Sequence, residues 1–143
     1  MCKTLEHQRR RILALVGLLS IMAPVADARE CLEYGRVSLS GIVVRQTYPG
    51  PPDYESFTKG DEPQVILVLQ LDGPACVAAQ GAGYARLYNE REVQLVFAED
   101  RYTRDQSLLG KRVVATGDLL QGGAKHEKRL VLAVLEIRER PRN

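Results

Sequence analysis

The 143-residue chain has no tryptophan, two phenylalanines, two histidines and three cysteines. These shortages remove whole classes of chemistry. His7 falls in the N-terminal segment discussed below, which leaves His126, in the run QGGAKHEK, as the one histidine of the remaining chain. A lone histidine with no second histidine or cysteine beside it is a poor zinc site. It would act as a base only with a nucleophile to activate, and there is neither a G-x-S-x-G elbow nor a free thiol. His126 therefore reads as a surface turn residue. No P-loop and no dinucleotide fingerprint occurs, and no cofactor is expected. No apolar run reaches the ~20 residues that a membrane-spanning helix needs.

What is there begins with a targeting pattern. Lys3, Arg9, Arg10 and Arg11 precede the apolar run of residues 12–22 (ILALVGLLSIM), and Pro24 and Ala26-Asp27-Ala28 follow it. A basic start, a short apolar stretch and small residues at the end make a secretory signal. The expectation is cleavage after Ala28, a mature chain of residues 29–143 in the periplasm or medium, and no membrane span once the signal is gone. The first 28 residues take four of the 20 basic residues and two of the 18 acidic ones, so sixteen of each remain. A neutral chain lacks the electrostatic footprint of a nucleic-acid binder, so no nucleic-acid partner is expected. Its length suits one domain with a modest core. Cys2 leaves with the signal, and Cys31 and Cys76 form an even pair in an oxidising compartment.

Five segments show the period-two pattern of strands: residues 36–47, 65–71, 92–97, 111–119 and 130–137. In the first, Val37, Leu39, Gly41 and Val43 share a face; in the second, Val65, Leu67, Leu69 and Leu71 do. Residues 99–109 predict a short helix with a stop at Gly110. The order strand, strand, strand, helix, strand, strand is that of the OB-fold, a five-stranded Greek-key barrel. Gly41 and Gly117 fall inside strands, where glycine marks bulges or sharp bends. If the first two strands form an antiparallel hairpin, facing residues have a near-constant index sum. Cys31 and Cys76 then lie at its open end, within bridging reach.

The most unusual stretch is residues 48–63, YPGPPDYESFTKGDEP. It is long for a connection between strands. Pro49, Pro51, Pro52 and Pro63 restrict it, so it is expected to hold a shape. In OB barrels the corresponding loop borders the ligand face. Tyr48, Tyr54 and Phe57 are candidate stacking residues, and Asp53, Glu55 and Asp61 complete the candidate ligand-binding set. The competing role for the aromatics is to fold back and cap the barrel. The acids, with Glu62, do not follow EF-hand spacing and read as a solvated loop rather than a metal site. Residues 77–89, VAAQGAGYARLYN, form a second long connection, rich in Gly and Ala.

The segments CLEYGRV (31–37), YPGPPDYES (48–56), GDEP (60–63), LGKRV (109–113) and Thr116-Gly117 resemble a bacterial exported family catalogued as domain of unknown function 4431. Members of that family tend to carry a His-rich stretch after the fourth strand, where this chain has only His126. The resemblance implies an OB-like fold and export; it implies no activity. Together these features favour a non-catalytic, exported OB-type binding module, whose partner is an unknown small molecule or an envelope protein. A structural or partner-binding envelope protein is the alternative, and a hydrolase on the same barrel the weaker one.

Overall fold

The computed structural model describes residues 30–98, 106–123 and 128–141. The expected signal, His126, Tyr102 and the greater part of the predicted helix lie outside the described residues. Alternating aliphatic side chains give five strands: β1 (Gly35–Pro49), β2 (Pro63–Val77), β3 (Leu87–Val96), β4 (Arg112–Gln121) and β5 (Leu130–Glu139). All five predicted strands are present, and β2 and β3 run well beyond their predicted bounds. Asp72, Gly73 and Pro74 signal an end to β2 because they are poor strand formers. The backbone nevertheless continues as strand to Val77.

The chain forms a mainly β fold with one mixed sheet whose strands pair in the order β1-β2-β3-β5-β4 and close on themselves. β1 makes this possible by serving two partners. Its first half, Gly35 to Ile42, pairs antiparallel with β4, and its second half, Gly41 to Pro49, pairs antiparallel with β2. β2 pairs antiparallel with β3, and β4 with β5. β3 and β5 meet in parallel over only three residues each, Gln94 to Val96 against Val131 to Ala133. A closed sheet leaves no edge strand to template pairing with another chain.

The inward positions fill the ring. Leu39 and Val43 of β1, Leu67 and Leu69 of β2, Val93 and Leu95 of β3, Val113, Ala115 and Leu119 of β4, and Leu130, Leu132 and Val134 of β5 are buried together. Tyr34 closes one end of this core, with its hydroxyl donating to the Ala85 carbonyl at 2.7 Å and its ring 4.6 Å from that of Tyr84. Burial raises the Tyr34 phenol above its ordinary pKa. Val65, predicted to point inward with Leu67, is instead exposed. It sits on the far part of the β1–β2 hairpin, opposite Thr47, beyond the stretch of β1 that β4 covers.

Strand β5 carries the aliphatic run to Leu135 and then places Ile137 after Glu136. A bulge explains this break in phase. Thr116 faces Glu136, but Gly117 faces Val134, so Leu135 is an extra residue and lies exposed. One inserted residue returns Ile137 to the core side.

Two expectations need correction. The predicted helix at 99–109 is not found among the described residues; only a single 3-10 turn, Gln106–Leu108, precedes β4. Gly110 does end it, with φ +75°, but its N–H already donates to the Val43 carbonyl. The Lys111 carbonyl likewise accepts from the Val43 N–H. The chain is therefore committed to the β1 ladder two residues after the turn. The cysteines also meet for a different reason than the hairpin register. Cys31 and Cys76 form the expected disulfide, with Cα atoms 4.7 Å apart. They do not meet as a continuation of the β1–β2 hairpin, because β1 has turned to β4 by then. A separate parallel bridge joins Leu32 to Val77: the Leu32 N–H donates to the Cys76 carbonyl and the Ala78 N–H to the Leu32 carbonyl.

Candidate functional site

The regular β2–β3 ladder runs as far as Gln70 opposite Glu92 and then breaks. Pairing resumes at Ala75 opposite Glu90 and shifts again before Val77 opposite Leu87. Residues 71–74 of β2 thus bow out against a single residue of β3. On β3, Asn89 adopts φ +54°, a left-handed conformation that costs a non-glycine residue energy. Paired irregularities of this kind open a strand surface and re-aim side chains. Here they open a groove with two lobes. The larger, about 600 Å³, lies among Gln70, Asn89, Glu90, Arg91, Glu92 and Lys128-Arg129. The smaller, about 430 Å³, is more apolar and lies among Leu39, Pro74, Ala75, Cys76 and Tyr88. Leu71 and Asn89 line both lobes and form the saddle between them. Tyr88 and Asn89 both line the smaller lobe.

Two ion pairs hold the start of β5 against β3 beside the groove. Lys128 bonds Glu92, and Arg129 bonds Glu90 at 2.9 Å. Glu92 also accepts from the Gln46 amide at 2.9 Å, and Gln46 in turn accepts from the Tyr48 hydroxyl. The Lys128 ammonium lies 5.5 Å from the centre of the Tyr48 ring, within cation–π range. The hydrogen bond from Lys128 lowers the Glu92 carboxyl below its ordinary range despite partial burial. Burial works against the charge of Lys128, but its bonds to Glu92 and Tyr48 outweigh that and raise its pKa. Both groups therefore stay charged at neutral pH. An acid and a base locked as ions to each other are poorly suited to exchanging protons with a substrate.

The loop of residues 48–63 holds a shape, and Asp61 is the reason. Its carboxylate accepts from the backbone N–H groups of Asp53 at 3.0 Å and of Glu55 and Ser56 at 2.7 Å each. Ser56 then caps a short 3-10 turn, Phe57–Lys59, by accepting from the Thr58 N–H. Asp61 is 5% exposed, so its two oxygens serve the loop rather than the surface. Tyr54 is 44% and Phe57 49% exposed, and Tyr54 adopts φ +61°. Neither ring lies in the core, and capping of the barrel does not describe them. Asp53 is exposed, and Glu55 pairs with Lys59. Of the predicted set, Tyr48 reaches a residue of the groove, Lys128, through its cation–π contact.

The backbone bonds to Asp61, that from Ser56 foremost, lower its carboxyl below the ordinary range. A depressed folded-state pKa contributes stability that is present above the unfolded value and lost as pH falls through the folded one. Loop order should therefore hold from neutral pH to about pH 4 and decline below it. Amide resonances of Asp53, Glu55 and Ser56 should move together over that acid range. In Asp61→Asn they should already be displaced at pH 7 and should not respond to acid. Unchanged amides in that variant would refute the role given to Asp61.

No family model matches the chain, and no curated protein does either. Its function has to be read from the geometry. Among the described residues there is no group of three or more His, Cys, Asp or Glu placed to hold a metal ion. Among the same residues no helix is long and apolar enough to cross a membrane. The groove residues Gln70, Arg91, Glu92, Lys128 and Arg129 were not signalled as a site by sequence, whereas Tyr88 and Asn89 close the connection of residues 77–89, the second place to look after the 48–63 loop. The available clue was the strand-breaking Asp72-Gly73-Pro74 directly after a strong strand, which can mark a bulge as well as an end.

Proposed function

We propose that this protein is an exported, non-catalytic binding module on an OB-type barrel, with its ligand in the groove across β2 and β3. Several observations support the barrel type: five strands, the pairing order β1-β2-β3-β5-β4 and the parallel β3–β5 contact. OB barrels bind on the face of strands two and three and on the loops after strands one and four. The observation that carries the reading is the double irregularity at Leu71 and Asn89, which opens the groove on that face. The Cys31–Cys76 disulfide supports an oxidising compartment, periplasmic or external. The resemblance to an exported family agrees with it. Intact-mass analysis of the protein recovered from cells should find a chain beginning near Arg29; a product retaining Met1 would count against export.

A second reading has its own observation. Tyr54 and Phe57 present two exposed rings on a loop pinned by Asp61, a surface suited to an envelope protein. One titration separates the two. Sugars, nucleotides, peptides and divalent ions are screened by thermal shift, where a ligand at 100 times its Kd adds ~2.7 kcal/mol. NMR then locates the hit. The groove reading expects shifts at Asn89, Arg91 and Lys128. Shifts confined to Tyr54 and Phe57, or silence from every small ligand, would replace it with the protein-partner reading.

A further inference from the structure

The two lobes of the groove differ in chemistry, and the difference selects a class of ligand. In the smaller lobe Tyr88 is 61% exposed, the most exposed aromatic ring among the described residues. Asn89 lines the same lobe, and its side-chain amide makes no hydrogen bond among the described residues. Ser40 and Asp72, the latter held by Arg112, also line this lobe and bring a hydroxyl and a paired carboxylate to it. A flat apolar surface ringed by amide, hydroxyl and carboxylate groups matches a pyranose ring, which has an apolar C–H face and a rim of hydroxyls.

The larger lobe adds a charge. Glu90 and Glu92 are neutralised by Arg129 and Lys128. Arg91, between them in sequence, also lines this lobe and has no ion-pair partner among the described residues. Among the described residues the lobe therefore carries one guanidinium without an ion-pair partner, a group suited to bidentate binding of a carboxylate. One such cation is too little for a nucleic-acid backbone, which needs a track of them. Both lobes have the volume of small-molecule sites, and Leu71 and Asn89 make them continuous.

We propose that the groove binds an acidic oligosaccharide, with one sugar ring stacked on Tyr88 and the carboxylate of a neighbouring unit held by Arg91. This rests on the binding-module reading above and names the ligand class for that same groove. The juxtaposition that carries it is the exposed ring of Tyr88 in one lobe, Arg91 in the other, and Asn89 on the saddle between them, the last two without a side-chain partner among the described residues.

The test is calorimetry at low salt with tetragalacturonate as the acidic probe and maltotetraose as the neutral one. The wild type should prefer the acidic probe by roughly tenfold, the range of one charge-assisted bond. Tyr88→Ala should weaken binding of both probes by about tenfold or more, as loss of a stacking ring does. Arg91→Gln should abolish the preference, bringing tetragalacturonate to the level of maltotetraose. Both side chains are exposed, so the melting temperature of either variant should match that of the wild type. The proposal is overturned if neither saccharide binds, or if the two variants bind both as the wild type does. An acidic hexapeptide and an octathymidylate serve as contrasts. If one of these alone shifts the Asn89 and Arg91 resonances, the saccharide assignment fails and the binding module stands. If no probe reaches the groove, both fail.

Discussion

Gly41→Ala should lower stability by at least about 3 kcal/mol, at or beyond the upper end of ordinary overpacking. A Cβ built at Gly41 would lie 2.1 Å from the Gln70 carbonyl oxygen and 2.8 Å from its carbon. Both are backbone atoms, so no side-chain rotation relieves the contact. Gly41 is also the residue at which β1 faces Leu71 of β2 and Val113 of β4 at once. Relief would require one of those ladders to open at the point where the ring bends. Gly83→Ala is the control, since nothing lies within 4 Å of a Cβ built there. It should stay within about 0.5 kcal/mol of the wild type. Urea unfolding with a shared m-value decides the matter: a Gly41→Ala midpoint close to that of the control would mean that the strands do not approach as described.

Breaking the disulfide should cost about as much. Cys31 and Cys76 are 45 residues apart, and the chain-entropy relation gives about 4 kcal/mol for a loop of that length. For a domain of this size the loss corresponds to a fall in Tm of roughly 20 °C. Reduction of the wild type and the double variant Cys31→Ser, Cys76→Ser should produce the same fall. Reductant should then have no further effect on the variant. The backbone bonds between Leu32 and residues 76 and 78 would be left to hold the segment alone. Leu32 and Cys76 also line the smaller lobe of the groove, so its ligand should bind less tightly to the reduced protein. A Tm that did not change on reduction would show that the bridge is dispensable.

The fold was legible in the main where aliphatic residues repeated at period two. Leu39 and Val43, and Leu67 and Leu69, announce inward positions and occupy them, whereas Val65 of the same series does not. The pairing of Cys31 with Cys76 was legible for a reason that did not apply, since a hairpin register was extended past the point where β1 changes partner. The shape of the 48–63 loop could be read from its prolines, but the work of Asp61 could not. Its partners are backbone N–H groups five to eight residues away, which no side-chain pattern reveals. The groove was the least legible part. It is made by irregularities at Leu71 and Asn89, where propensity says that strands should stop, and by ion pairs such as Glu92–Lys128 that span 36 residues of sequence. Bulges break the periodicity on which a strand reading depends.

The closure of the ring governs how the chain folds. Gly35 must find Leu119, and the short parallel contact must bring Gln94 to Val131. Neither pairing can form before the last two strands exist, whereas β1–β2 and β2–β3 are neighbours along the chain. Loop-closure entropy must be met before such distant contacts give anything back. A three-strand meander should therefore assemble first, with the first half of β1 and one side of β3 left open until β4 and β5 arrive. Refolding should fall in the millisecond-to-second range of non-local β topologies. Deleting β5 should strand the chain at the meander, with the inward faces of Val93 and Leu95 uncovered.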